Sequence, residues 1–137
     1  MQTFLPFRSY TASAECLDYR RLGKQRVETK QILLALTDPT YGWQHHPAVR
    51  MWRGHETALA LYGVTICREW RKRGFKDTLL PWFEDRMTNL TPANSEPSWL
   101  TEEFCRSHQS NLLRKDPTHY AQHFFGVPDT LPYIWPV

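Results

Sequence analysis

A segment near the start of the chain, residues 19–28, combines several basic side chains with a single carboxylate. Its four cations are Arg20, Arg21, Lys24 and Arg26. Cations this close together suit the binding of a polyanion better than the interior of a protein. Glu28 is the only acidic residue of the segment, so it is the first candidate for proton transfer beside that polyanion. In a helix, Arg21, Lys24 and Glu28 would share one face and could meet one ligand.

A second polar group lies near the C-terminal end. It combines short hydrogen-bonding side chains with cations at helical spacing: Ser107, Asn111 and Arg114, flanked by His108 and Lys115. Such a combination is typical of a surface that contacts phosphates. The alternative interpretation is an ordinary solvated helix face.

The composition fits one soluble domain. The chain has 137 residues, of which 41% are hydrophobic and 23% charged, so residues 1–137 are predicted to form one domain with an ordinary core. Aromatic residues reach 14%, with six tryptophans, and some of these rings suit stacking on bases. The formal charge is +3, and arginine outnumbers lysine twelve to five. Arginine forks onto phosphates, although a solvated basic surface also explains this balance.

Several classes of site are disfavoured. The three cysteines, Cys16, Cys67 and Cys105, form no closely spaced pair, which argues against a disulfide framework and a structural zinc site. The adjacent His45 and His46 have no acidic or cysteine partner at a metal-binding spacing. We therefore expect no metal and no cofactor. No apolar stretch of transmembrane length and no signal-peptide pattern are present, so we expect a soluble, cytoplasmic protein.

The hydrophobic periodicity predicts an all-α fold, a single compact helical domain, because no segment alternates as an exposed strand does. Gly23 is expected to break or bend the second helix, whereas one long helix is expected across Gly54 and Gly63. The first predicted helix runs from a cap within Thr11–Ala14 to about Tyr19, and the second runs from Gly23 to about Leu36. The third is the long helix from about Ala48 to Arg73. Three more helices are predicted, from Pro81 to Met87, from the cap Thr101 to Lys115, and from Pro117 to about Phe125. Loops are predicted over Thr37–Pro47 and Thr88–Pro97, and the tail runs from Val127 to Val137.

Four segments together resemble a known family, the small helical pyrimidine-dimer DNA glycosylases of the phage endonuclease V type and their bacterial relatives. The segments are Tyr19–Leu22 with Arg26 and Val27, Glu69–Phe75, Ser107–Lys115, and Asp116–Tyr120. They span most of the chain, and their order and spacing carry the resemblance. The opening Met1–Pro6 and the run Arg21–Glu28 look like a bacterial branch of this family.

The resemblance implies a mechanism. In the family, the N-terminal α-amine attacks C1′ of the sugar, a glutamate in the tyrosine–arginine helix assists, and the resulting Schiff base allows strand cleavage. Here Arg21, or Gly23 under another gap placement, stands where that glutamate would fall. Glu28 is our first choice for the relocated carboxylate and Asp18 the second, while an ion pair with Lys24 is the structural alternative for Glu28.

The nucleophile implied by the resemblance is the Met1 amine. Gln2 is large, so Met1 is expected to be retained.

The favoured function is that of a DNA glycosylase that excises a damaged or modified base from double-stranded DNA, with abasic-site lyase activity as a further expectation, acting as a monomer. Cations of the first segment would grip phosphates while a flipped base enters a pocket. Trp43, His46 and Trp52 are the candidates for that pocket, with Tyr133 and Trp135 of the tail as equal alternatives. Two other functions remain open: a non-catalytic module that binds distorted or modified DNA, and an enzyme acting on a nucleotide or another small anion.

Overall fold

The computed structural model describes residues 1–90 and 96–137. The described chain forms helices and connecting segments, without a strand, which confirms the all-α prediction. The helices are α1 (Tyr10–Cys16), α2 (Tyr19–Thr37), α3 (Pro47–Trp52), α4 (Glu56–Lys72), α5 (Leu80–Asn89), α6 (Glu102–Lys115) and α7 (Pro117–Tyr120).

Helix α4 lies at the centre of the fold. It packs against α1, α2 and α5, and it buries Leu59, Tyr62 and Ile66 completely. Helix α2 also contacts α3, and α6 contacts α7. The buried apolar side chains join into one cluster, so α2, which carries the basic segment, is anchored to the core along one face.

The start of α2 differs from the prediction. Helix α1 is capped by Ser9 and ends at Cys16, and Asp18 then caps α2, which continues through Gly23 without a break. The predicted break is wrong because Gly23 is needed for packing: a Cβ there would come within 2.8 Å of the Trp70 ring. The basic segment therefore lies on one continuous helix.

The long helix predicted from Ala48 to Arg73 is also wrong. Gly54 adopts a φ of +87°, which favours glycine, and the chain turns there between α3 and α4. Downstream, Thr101 caps α6, and α6 ends at Lys115 as predicted. Helix α7 stops at Tyr120, short of Phe125.

Three further points concern the remaining predictions. Helix α5 reaches Asn89, so the predicted loop over Thr88–Pro97 begins later, and its residues 91–95 lie outside the described residues. The three cysteines are buried and free. Within the described ranges, no helix is both long and apolar enough to cross a membrane.

Gly63 supports a prediction about stability. A Cβ at this position would lie 2.4 Å from two ring atoms of Phe83, which is fully buried. Gly63→Ala is expected to lower the free energy of unfolding by roughly 1–2 kcal/mol, because overpacking outweighs the better helix propensity of alanine. Thermal unfolding measures the change. Gly42→Ala is the control, since nothing lies within 4 Å of its Cβ; an unchanged melting temperature for Gly63→Ala would contradict the packing.

Candidate active site

The N-terminal segment before α1 is extended and held by side chains from three helices. The Phe4 amide donates to Oε1 of Gln25 at 3.1 Å, and the Leu5 amide donates to Nδ1 of His108 at 2.9 Å. The Tyr62 hydroxyl lies 2.9 Å from the Phe4 carbonyl oxygen and 2.6 Å from Gln25 Oε1. Burial raises the pKa of Tyr62 well above its ordinary value, so the hydroxyl stays neutral. The segment therefore follows one fixed path into the fold.

This path brings the start of the chain onto Glu28. The Gln2 amide donates to Glu28 Oε2 at 3.0 Å, and Gln25 Nε2 donates to the Gln2 carbonyl oxygen at 2.8 Å. The Met1 amine is one residue earlier in the chain, and both it and Glu28 influence the His46 ring electrostatically. Glu28 also has Lys24 Nζ at 3.5 Å from Oε1, with the two side chains 12% and 74% exposed. An ion pair with so exposed a lysine is weak, so it does not explain the position of Glu28.

His46 lies in the same neighbourhood. Its Nδ1 accepts the Ala48 amide at 3.0 Å, where His46 caps α3, so the neutral ring carries its proton on Nε2. Burial and the positive N-terminus lower the pKa of His46, and Glu28 opposes them. The charges of the amine and of the carboxylate thus both act on the His46 ring. The ring is neutral at pH 7, and its Nε2–H is a hydrogen-bond donor.

Aromatic rings from two parts of the chain surround His46. The ring centroids of Trp43 and Trp135 lie 5.9 Å and 6.1 Å from that of His46, both edge-on. Trp43 is exposed and has a φ of 67°, the only positive φ of a non-glycine residue in the described chain. Such strain is retained where the surroundings enforce it and often marks a functional position. Next to Trp135, the Tyr133 hydroxyl accepts from Gln2 Nε2 at 3.3 Å.

A cavity of about 670 Å³ extends from Gln2 and Glu28 along α2 to the start of α7. Its volume would accommodate a nucleotide. Four cations are distributed along its lining: Arg20, Arg21, Lys24 and Lys115. The remaining lining residues are Phe4, Asp18, Tyr19, Gln25, Asp116 and His119. Across residues 1–90 and 96–137, no three His, Cys, Asp or Glu side chains group closely enough to hold a metal ion.

Asp18, the second choice for the catalytic carboxylate, is already engaged. It accepts a short hydrogen bond from the Tyr120 hydroxyl and caps α2 through the Arg21 amide at 3.3 Å. The Arg21 guanidinium lies 3.1 Å from its Oδ1. Partial burial opposes ionisation, but the hydrogen bonds from Tyr120 and Arg21 outweigh it and hold the pKa of Asp18 below its ordinary value. These contacts make Asp18 a poor base, whereas Glu28 faces the start of the chain.

Comparison with known proteins now adds to the geometry. The family model for pyrimidine dimer DNA glycosylases matches residues 1–80. The chain belongs to the pyrimidine dimer DNA glycosylase family. No curated protein and no solved structure matches it. The matched residues include the N-terminal segment, Glu28 and His46, and they exclude α6, α7 and the tail.

Three of the four cations predicted on α2 of this glycosylase-family chain line the cavity. They are Arg20, Arg21 and Lys24. The structure corrects the assignment of Arg26: its Nη1 lies 2.7 Å from Oδ1 of Asp77, whose side chain is fully buried. The guanidinium also lies 4.9 Å from the centroid of Trp70. Arg26 therefore joins α2 to the segment after α4 and is not available to a phosphate.

The polar group predicted on α6 mostly holds the tail. Ser107 and His108 are buried, and burial lowers the pKa of His108 to about 3, so it is a neutral acceptor rather than a phosphate contact. Arg114 Nη1 donates to the carbonyl oxygens of Asp129 at 2.8 Å and Leu131 at 2.9 Å.

Neither Asn111 nor Arg114 lines the cavity, so of the five α6 residues only Lys115 remains a candidate DNA contact.

The other correction concerns Trp52. It is fully buried, and its Nε1 donates to Thr3 Oγ1 at 3.1 Å, so it supports the N-terminal segment and cannot line an open base pocket.

Sequence reasoning missed two groups of residues in this glycosylase-family site. Gln25 and Tyr62 position the start of the chain, and Asp116 and His119 line the far end of the cavity. Gln25 lay within the basic segment but was not singled out, and its neighbour Tyr62 is 37 positions away along the chain. The Tyr120 hydroxyl that bonds Asp18 is 102 positions away. No local pattern in the sequence reports such pairs.

Proposed function

We propose that the protein excises a damaged or modified pyrimidine base from double-stranded DNA and then cleaves the abasic strand. The Met1 amine is the nucleophile and Glu28 the acid–base group. The observation that carries the proposal is the 3.0 Å hydrogen bond from the Gln2 amide to Glu28 at one end of the cation-lined cavity. The family membership supports a DNA glycosylase in general, and this contact supports the particular residues.

The proposed chemistry uses the amine at the start of the chain and the carboxylate that the Gln2 amide contacts. The neutral amine forms a bond to C1′ while the bond from C1′ to the base nitrogen breaks, and the base leaves with that electron pair. The amine loses a proton to Glu28, and the departing base takes one up. The amine attacks in its neutral form, because only that form has a free lone pair.

Strand cleavage is the second stage. The sugar ring opens to a Schiff base between C1′ and the amine nitrogen, which makes the C2′ protons acidic. A proton leaves C2′, a double bond forms between C2′ and C3′, and the bond from C3′ to the phosphate oxygen breaks. Glu28, which lines the cavity, is the proposed acceptor for the C2′ proton as well.

The remaining residues of the site bind and orient the DNA. Arg20, Arg21, Lys24 and Lys115 contact phosphates along the cavity. The proposed receptor for the flipped base is His46, which the amine and Glu28 both influence electrostatically, with the rings of Trp43 and Trp135 beside it. The neutral Nε2–H of His46 can donate to a carbonyl oxygen of a pyrimidine.

The phosphate contacts lead to a prediction about salt dependence. Arg20→Ala and Lys24→Ala are each expected to weaken DNA binding equally on all sequences and to reduce the slope of log affinity against log salt by ~0.9, as for one phosphate contact. Filter binding or fluorescence anisotropy across a salt series measures the slope. Arg106→Ala is the control, because Arg106 is exposed but outside the cavity lining. Equal slopes for all four proteins would remove the cavity as the DNA-binding surface.

The experiment that tests the function is incubation with a panel of duplexes, each carrying one modified or dimerised pyrimidine, followed by alkali to reveal abasic sites. We expect release of at least one of these bases, and strand breaks without alkali on the same duplex. If every duplex is bound and none loses a base, the protein is a binding module. If none is bound above the level of unmodified DNA, an enzyme of nucleotides or other small anions becomes the better description.

A further inference from the structure

Three aromatic rings form a stack at the surface beside the cavity, and the proposed chemistry does not use them. We call Tyr19, Phe75 and Trp70 the aromatic step. The centroids of Tyr19 and Phe75 lie 6.3 Å apart with an interplanar angle of 26°, and those of Phe75 and Trp70 lie 4.2 Å apart at 24°. Tyr19 at one end of the stack and Phe75 in its middle are 53% and 40% exposed. Large rings left this open in a stacked arrangement suggest a ligand that stacks.

The aromatic step is held rigidly from below. Trp70 packs on Gly23, which has no side chain in the way, and its Nε1 donates to the Lys76 carbonyl oxygen at 2.8 Å. Gly74 has a φ of +91°, which returns the chain so that the Phe75 amide donates to the Trp70 carbonyl oxygen at 3.3 Å. A ligand would therefore find the rings already in place and would not have to order them.

The position of the aromatic step indicates the chemistry of its ligand. Tyr19 belongs to the lining of the cavity, so the stack continues directly from the proposed nucleotide site. Arg20 Nε donates to the Tyr19 hydroxyl at 3.0 Å, and Lys76 follows Phe75 in the chain, exposed to solvent. The Arg20 guanidinium lies over the Tyr19 ring, 5.7 Å from its centroid. A base that stacks on Tyr19 would replace this guanidinium, which could then pair with a phosphate of the same strand.

We propose that Tyr19 and Phe75 form a stacking surface for an unpaired DNA base next to the nucleotide held in the cavity. The inference rests on the proposed function in that it takes DNA as the substrate. It adds a substrate preference: DNA in which the bases beside the damaged position are unpaired should bind more tightly than fully paired DNA. A paired base stays stacked between its neighbours in the duplex and is therefore not available to stack on a protein side chain.

The test combines protein variants with two DNA probes. Both probes are duplexes with a tetrahydrofuran abasic-site analogue, and one of them also has two mismatched pairs beside the analogue. Tyr19→Ala is expected to weaken binding to the mismatched probe by about 5- to 150-fold, the range that loss of one base–aromatic stack produces, and to affect the paired probe much less. Tyr19→Phe keeps the ring and should retain the preference. The slope of log affinity against log salt should stay unchanged in Tyr19→Ala, since no phosphate contact is lost.

Two further measurements guard the interpretation. A 2-aminopurine placed at the unpaired position should lose fluorescence on binding to the native protein and Tyr19→Phe, but not to Tyr19→Ala. Tyr19→Leu, which keeps an apolar contact with Phe75, should behave as Tyr19→Ala does. Leu61→Ala is the matched control, because Leu61 is 43% exposed on α4 and outside the cavity lining.

The outcomes separate this inference from the proposed function. The abasic analogue has no base to release, so binding to it is independent of excision. An equal loss on both probes, or none on the mismatched probe, overturns the stacking surface even if the protein excises bases. A Tyr19-dependent preference supports it even if the panel of modified duplexes yields no excision.

Discussion

Glu28→Gln is expected to lower the rate of base excision by roughly 10²-fold or more while DNA binding is retained or strengthened. The amide can still accept the hydrogen bond that the Gln2 amide donates to Glu28, so the N-terminal segment should keep its path. What the variant loses is the proposed proton acceptor at the start of the chain. Removing one negative charge from a cavity with four cations also favours binding of a polyanion.

Single-turnover excision and equilibrium binding on the same duplex measure the two effects separately. Asp18→Asn is the matched variant, since Asp18 lines the same cavity but is engaged by Tyr120 and Arg21. Its main effect should fall on stability, because it removes the charge that the Arg21 guanidinium and the Tyr120 hydroxyl engage. Full excision by Glu28→Gln together with a loss in Asp18→Asn would reverse the two assignments.

The sequence was sufficient where the physics is local. The α6 boundaries follow from a threonine that caps one end of the helix and a proline that comes after the opposite end. In the structure, Thr101 caps α6, and the helix ends at Lys115, before Pro117. Local reasoning failed at Gly23 and Gly54. Gly23 lies inside α2 with the Trp70 ring packed against it, whereas Gly54 turns the chain between α3 and α4. Gly63 lies inside a helix as predicted, with the Phe83 ring packed against it. The sequence alone does not distinguish a glycine inside a helix from one that turns the chain. The distinction depends on whether another side chain packs against the glycine.

The site shows the same division. The basic segment on α2 was visible because its cations are adjacent, but Arg26 could not be separated from the others without Asp77, 51 positions away. The polar residues of α6 predict a phosphate-binding surface, but the tail from Asp129 to Trp135 covers that face. Nothing in the sequence of the tail predicts that it packs on α6. Arg114 and Ser107 bind backbone atoms of that tail, and backbone partners leave no trace in residue types.

The family match divides the chain into a matched part, residues 1–80, and an unmatched part. Residues 1–80 contain the amine, Glu28 and the cations of α2, while the tail beyond them supplies Trp135 beside His46 and Tyr133 beside Gln2. On our proposal, the matched part carries the chemistry and the unmatched part completes the wall that meets the base. Base selection in this protein would then depend on residues outside the family match, which is why the panel of modified duplexes matters more than any one lesion.

Acetylating the α-amine of Met1, or extending the chain by a short tag, is expected to abolish both borohydride trapping on DNA and strand cleavage. An acetylated nitrogen cannot form a Schiff base, and a tag moves the free amine away from Glu28. Peptide mapping of the trapped adduct from the native protein should place the DNA on Met1.

Lys24 is the rival nucleophile, because its Nζ lies 3.5 Å from Glu28, but its side chain is 74% exposed. Lysines that form Schiff bases are desolvated or held beside other cations, and solvated lysines are protonated at pH 7. Lys24→Arg should therefore keep trapping at full yield, since arginine preserves the charge that binds phosphate but offers no nucleophile. A tagged protein that still traps DNA, or an adduct mapped to Lys24 or Gln2, would contradict the assignment to Met1. A native protein that releases base and never traps would restrict the enzyme to hydrolysis by water, with Glu28 as the base that activates it.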